Sequence, residues 1–250
     1  MKPVQYIAAH IRRVLKDGGS APHSVEVQWF FKEQVKSRGW YTNELRKVAL
    51  RFRRSLLDDC GLAYMVQVAD DLFRGEVLEE DVLAVELLKK SIDEFGDNEF
   101  RLFESWIGRV SNWASHDSLV YYLLASMIVA EPKRRSAAFR WAKSQNRWYR
   151  RAACVALIRG TRQQMFFDDI KRLTETLLTD PDDMVQKGLG WLLRETAKYN
   201  RYSALPYLME IRDRAPRLVL RTACETLPPA MKAEVLGTRA KRRAFPKPVQ

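Results

Sequence analysis

The chain of 250 residues holds only three cysteines, Cys60, Cys154 and Cys224, odd in number and far apart, the last two following alanines in apolar surroundings. That pattern argues against a disulfide framework or a cysteine-rich zinc site and leaves reduced, mostly buried thiols as the expectation. Its three histidines, His10, His23 and His116, make no ligand spacing of the H-x-x-x-H kind, so no metal centre is expected. Glycine is scarce at 11 residues and β-branched alternation is hard to find, which leaves little sequence for sheet. Long apolar runs are missing as well. The opening segment MKPVQYIAAHIRRVLKDGG is interrupted by Arg12 and Arg13, so neither a membrane span nor a secretory signal is supported and a cytoplasmic location is expected.

What is present is apolar content of 46%, enough to fill a substantial core and to exclude disorder of the whole chain. Lys and Arg number 43 against 31 Asp and Glu, a net charge of +12, which favours a polyanionic partner. Apolar residues recur at i, i+3 and i+4 in VLAVELLKKSI, VYYLLASMIVA, AACVALI and GLGWLLRETA, the period of helix.

Six of these helical segments superimpose: NELRKVALRF from Asn43, LEEDVLAVELL from Leu78, WASHDSLVYYL from Trp113, WYRRAACVALI from Trp148, MVQKGLGWLLR from Met184 and LVLRTACETL from Leu218. Their fourth positions, Arg46, Asp81, His116, Arg151, Lys187 and Arg221, lie 35, 35, 35, 36 and 34 residues apart, room for two helices and two short turns. The seventh position is usually small (Ala49, Ala84, Leu119, Cys154, Gly190, Cys224) and the tenth apolar or aromatic, as packed helix pairs require. Breakers such as Gly39, Gly75, Pro132, Gly160, Pro181 and Pro216 fall between units. The reading is an all-α, α-α superhelix: a HEAT-like solenoid of about six helix pairs with a concave, basic groove. Residues 1–236 would form a single domain, 1–40 its N-terminal cap, and 237–250 a basic, proline-containing flexible tail.

Two residues depart from their columns. The fifth position holds Lys47, Val82, Asp117, Ala152, Gly188 and Thr222, and the eighth holds Leu50, Val85, Val120, Val155, Trp191 and Glu225. A carboxylate in a column that is often small or apolar is costly unless solvated, paired or used, and Asp117 sits one helical turn after Trp113; Lys47 and Thr222 in the same column leave an exposed, structurally idle Asp117 as the alternative. Trp113, Trp148 and Trp191, interleaved with Arg150, Arg151, Lys187 and Arg194, suit stacking and phosphate contact, although tryptophan at this spacing is also ordinary core. Recurrence of Arg46, Arg151, Lys187 and Arg221 at one repeat position predicts a track of cations. His116, in that usually charged column, is expected to face solvent.

Taken together, GWYTNELRKVA, NWASHD, NRWYRRAACVALI and DMVQKGLGWLLRE, in this order between about residues 25 and 225, resemble the bacterial DNA alkylation repair family of AlkD-like DNA glycosylases. The resemblance implies a HEAT-like solenoid that binds duplex DNA and excises cationic N3- and N7-alkylated purines such as 3-methyladenine and 7-methylguanine; a solenoid with a free groove is expected to act as a monomer, and a leaving group that is already cationic requires no metal or organic cofactor. It further implies that Asp117 is the catalytic aspartate, that Trp113 and Trp191 flank the lesion's deoxyribose, and that Arg151 contacts the backbone. Arg46, Lys47, Trp148, Arg150, Lys187, Arg194 and Arg221 complete the expected DNA-binding set. The chain departs from the family's W-W-D-x-x-D, with Asn112 for a tryptophan and Ala114 for the first acid, and an N-terminal aromatic that is often tyrosine falls within Phe30-Phe31-Lys32. A non-catalytic relative that binds branched or altered DNA, and a protein-binding scaffold, are the alternatives.

Overall fold

The six superimposed segments are helices that begin at Thr42, Leu78, Trp113, Arg147, Asp183 and Arg217, which reproduces the repeat read from the sequence. The structure is a computed structural model and describes residues 2–237; the tail expected over 237–250 therefore lies, from residue 238 on, outside the described residues. No strand occurs among the described residues. Where one array to residue 236 is expected, the chain divides into two compact units, the first ending at Arg134 and the second beginning at Arg135.

The first unit runs α1 (Val4–Asp17), α2 (Ala21–Gln28), α3 (Thr42–Cys60), α4 (Leu62–Leu72), α5 (Leu78–Leu88), α6 (Asp97–Trp106), α7 (Trp113–Leu119) and α8 (Ala125–Ala130). A π-helical turn over Val120–Leu124 joins α7 to α8. Such widened turns are rare and are found disproportionately beside functional sites. The cap expected over 1–40 contains α1, whose Ala8, Ile11 and Leu15 are buried, and α2, which buries no residue.

Three acidic side chains in the first turn of α5 fasten this unit. Glu80 takes the guanidinium of Arg12 at 3.0 Å and that of Arg38 at 2.5 Å. Glu79, 2% exposed, accepts the Ser37 hydroxyl at 2.6 Å and the backbone N–H groups of Arg38, Gly39 and Trp40 at 2.8, 3.0 and 3.3 Å. The carboxylates also sit favourably at the positive N-terminal end of α5, and the same short acidic run ties down the segment before α3.

The second unit runs α9 (Ser136–Trp141), α10 (Arg147–Val155), α11 (Ile158–Thr161), α12 (Phe167–Leu177), α13 (Asp183–Tyr199), α14 (Arg201–Ile211), α15 (Arg217–Ala223) and α16 (Pro229–Leu236). Its repeat helices start on side-chain caps where Asn146 accepts from Trp148 N–H and Asp182 from Met184 and Val185 N–H. Gly188 and Gly190 let α13 approach both neighbours. A Cβ at 188 would lie 3.2 Å from Arg151 Cγ, and one at 190 only 2.6 Å from Thr222 Cβ. The small seventh column is thus a helix-contact column: Ala49, Ala84, Leu119, Cys154 and Cys224 are all buried. Burial pushes the Cys154 thiol up to about 12, which keeps it protonated. Cys60 is half-buried.

Candidate functional site

The helix that carries Asp117 is fixed at its start by Asn112. The Asn112 side chain accepts from Ala114 and Ser115 N–H at 3.0 and 2.9 Å, the N-cap arrangement. Its amide nitrogen donates to Ser115 Oγ at 3.1 Å, and that hydroxyl donates to Asp81 Oδ2 at 2.7 Å. Asp81 Oδ1 accepts Gly75 N–H at 2.9 Å, and the Ser111 hydroxyl donates to Gly75 O at 2.8 Å. Asn112 is therefore the cap of α7 and, through Ser115, its link to α5. Asp81 is wholly buried, and burial raises its carboxyl to about 6 although the hydrogen bonds from Ser115 and Gly75 act to lower it.

From this start, Trp113 and Asp117 follow one turn apart on one face of α7. The Asp117 side chain is 17% exposed. The Trp113 indole donates to Phe30 O at 3.3 Å and its ring stacks on Phe31, centroids 5.2 Å apart and planes 25° from parallel. Phe30 and Phe31 belong to the segment that follows α2. Gln28 shapes it by donating to Glu33 O at 2.8 Å and accepting Val35 N–H at 2.9 Å. Beside this stack, Trp29 and Phe30 are 79% and 73% exposed. No sequence periodicity marks these two residues, because the contact that brings their segment to α7 spans some eighty positions.

His116 corrects an expectation. Instead of facing solvent it is completely buried, with Nδ1 2.7 Å from Asp117 Oδ1.

Members of the expected cation track and tryptophan stripe differ in how far they are exposed. Trp148 is 6% exposed, with the Arg147 guanidinium 4.6 Å above its ring. Arg151 is 5% exposed and donates Nη1–H to Met184 O at 2.6 Å. Arg150 pairs with Asp180 at 2.6 Å and donates to Ser144 O and Gln145 O. Arg150 and Arg151 each join their helix to a segment about thirty residues further along the second unit. A column reading cannot separate them from surface cations, since their partners lie about thirty residues on and leave no local signature.

The other members of the expected set are more open. In the first unit Arg46 is exposed, 3.5 Å from Glu86, and exposed Lys47 pairs with Glu44. In the second, Arg221 is exposed, Lys187 is half-buried beside Asp183 at 3.3 Å, and half-buried Arg194 pairs with Glu195 and Glu225. Trp191, on α13 between Gly190 and Leu192, is half-buried.

Fold and site together define an all-α protein of repeated helix pairs that carries a partly exposed aspartate beside an aromatic stack. The family model for DNA alkylation repair enzymes matches residues 11–227, and the chain belongs to that family. Membership gives the protein a role in the repair of alkylated DNA and DNA as its partner. A solved structure from Enterococcus faecalis, described as a predicted DNA alkylation repair enzyme, has the same fold: TM-score 0.76 at 16% identity, over 84% of this chain and 97% of that one. No curated protein matches the chain significantly.

Proposed function

We propose that the protein is a DNA glycosylase that hydrolyses the N-glycosidic bond of cationic N3- and N7-alkylated purines in duplex DNA. The observation that carries this reading is the Asp117 carboxylate, partly exposed on α7 one turn from a tryptophan that is itself held by an aromatic stack.

An N3- or N7-alkylated purine already bears positive charge, so it departs as a neutral base with little need of an acid. As the bond from C1′ to the base nitrogen breaks, the electron pair leaves with the base and positive charge develops on the sugar. A fixed carboxylate stabilises that charge and orients the water that adds to C1′, the water's proton passing to solvent. A preorganised group of this kind lowers the barrier by roughly 3 kcal/mol or more. The Trp113 face attracts the same cation by about 0.5 to 2 kcal/mol. In this reading Trp191 supplies a further aromatic contact to the DNA, while Arg46, Lys47, Lys187, Arg194 and Arg221 meet phosphates. Trp148, Arg150 and Arg151 are left to their internal contacts. No step requires a cofactor, and the protein acts as a monomer.

The test is release of free 7-methylguanine and 3-methyladenine from methylated duplex DNA by the wild-type protein and Asp117→Asn. The expected result is release that falls by roughly 100-fold or more in the variant, with DNA affinity retained and declining with salt. Salt-sensitive DNA binding without release by either protein would instead indicate a non-catalytic DNA binder.

A further inference from the structure

We propose that His116 is the positioning residue for Asp117: its buried ring donates Nδ1–H to Oδ1 and fixes the orientation in which the carboxylate meets developing positive charge. The inference rests on the glycosylase reading above and adds to it a residue specific to the packing of this chain.

Consecutive residues on a helix point about 100° apart, so one can face the packing while the next faces the rim. The pair divides in this way: His116 is wholly buried, whereas the Asp117 side chain keeps 17% of its surface exposed. Between them, Nδ1 and Oδ1 are 2.7 Å apart. An ionised carboxylate only accepts hydrogen bonds, so at this distance the ring nitrogen must be the donor. The ring cannot reach a sugar from its buried site, which excludes it as a group acting on substrate and leaves orientation as its means of action.

Position four of the repeat supports the same reading. In three successive repeats it holds a buried polar side chain, Asp81, His116 and Arg151. Asp81 receives Ser115 of the following repeat helix, and Arg151 donates to Met184 O of the following one. At 116 this inward-facing position is directed to the neighbouring side chain of its own helix. Electrostatic catalysis is lost when a charge must reorganise during reaction. A ring locked by packing behind the carboxylate helps to hold its orientation.

The experiment compares wild type, His116→Leu and His116→Asn in single-turnover release of 7-methylguanine from duplex DNA at saturating protein, with DNA affinity measured separately. Loss of one hydrogen bond to a charged group predicts a rate about 10- to 100-fold lower in His116→Leu, with affinity changed less than about twofold. His116→Asn places an amide N–H close to the position of Nδ1 and is expected to recover most of the rate. A His116→Leu rate equal to wild type, a loss confined to affinity, or no recovery in His116→Asn would overturn the inference.

Substrate-free 15N spectra of histidine-labelled protein keep it distinguishable from the glycosylase reading. The His116 resonances, assigned by their absence in His116→Leu, should show a protonated Nδ1 that is perturbed in Asp117→Asn. An unprotonated Nδ1 overturns the inference whatever the activity. A protonated Nδ1 in a protein whose wild type releases no base overturns the glycosylase reading, and the positioning role with it, while leaving the hydrogen bond in place.

Discussion

Replacing Asp81 by asparagine should make the protein more stable at high pH and leave it little changed near pH 4. In the unfolded chain Asp81 titrates near its ordinary 3.8, and in the folded protein burial raises this to about 6. Between those values the folded state holds a proton that the unfolded state has released, so stability falls as pH rises from about 4 to about 6 and stays reduced above. At ~1.4 kcal/mol per pKa unit, the ionised group costs about 3 kcal/mol at pH 8 and about 0.5 kcal/mol at pH 4.

An asparagine keeps the contacts. Its oxygen can accept Gly75 N–H, and its nitrogen can donate to Ser115 Oγ, which already accepts from Asn112. The hydroxyl proton of Ser115 then loses Asp81 as its acceptor, a cost of roughly 1 kcal/mol that does not vary with pH. The informative quantity is therefore the slope. In urea unfolding at pH 4, 6 and 8, the stability of Asp81→Asn relative to wild type should rise by about 2.5 kcal/mol across the range. All other carboxylates titrate in both proteins and cancel. Parallel stability curves, agreeing within ~0.5 kcal/mol at every pH, would refute the assignment of a buried, ionising carboxylate at this position.

Three further substitutions follow from the packing. Glu79→Ala removes the acceptor of one hydroxyl and three backbone N–H groups; it should cost about 3 kcal/mol, a fall of roughly 6–12 °C in thermal midpoint by calorimetry. Gly190→Ala, whose new Cβ would lie 2.6 Å from Thr222 Cβ, should lower the midpoint by roughly 3–8 °C, and the double variant with Thr222→Gly should cost less than the sum of the two single changes. Asn112→Ala removes the cap of α7 and should cost about 1 kcal/mol, with a lower rate of base release because the same helix carries Asp117; Asn112→Asp, which preserves the cap acceptor, should retain more of both. Unchanged stability and release in Asn112→Ala would count against α7 being held by its start.

How much of this was legible in the sequence depended on where each residue's partner lies. The repeat helices could be read because each carries its own period, its small seventh residue and its breakers within about a dozen positions. Asp117 could be read because it breaks a column and lies one turn of helix from Trp113. The inward turn of Trp148, Arg150 and Arg151 could not. Arginine at a repeat position looks the same whether it meets solvent or a carbonyl such as Met184 O, and the alignment treats both as one charged column. His116 was misread for the same reason: its column contains exposed Arg46 and Arg221 at the ends and buried Asp81, His116 and Arg151 in the middle. The aromatic segment beside Trp113 was legible as a composition, Trp29-Phe30-Phe31, but its position was not, since it rests on a long-range hydrogen bond from Trp113 and on the internal bonds of Gln28.

The same contrast bears on how Asn112 and its neighbours hold the helix that carries Asp117. What an electrostatic mechanism requires of this region is one carboxylate held still at a partly open surface, and the first unit meets that requirement with a chain of contacts. Gly75 and Ser115 bind Asp81, Asn112 caps α7 and binds Ser115, and Phe30 and Phe31 hold Trp113. Asn112 is 2% exposed and joins the cap to Ser115. A second tryptophan at that position could neither accept the Ala114 and Ser115 N–H groups nor donate to Ser115 Oγ in the same way. Asparagine at this position thus supplies a polar connection from α7 to α5. In the proposed mechanism a carboxylate held rigidly, rather than any one neighbouring residue type, is what the sequence of α7 has to provide.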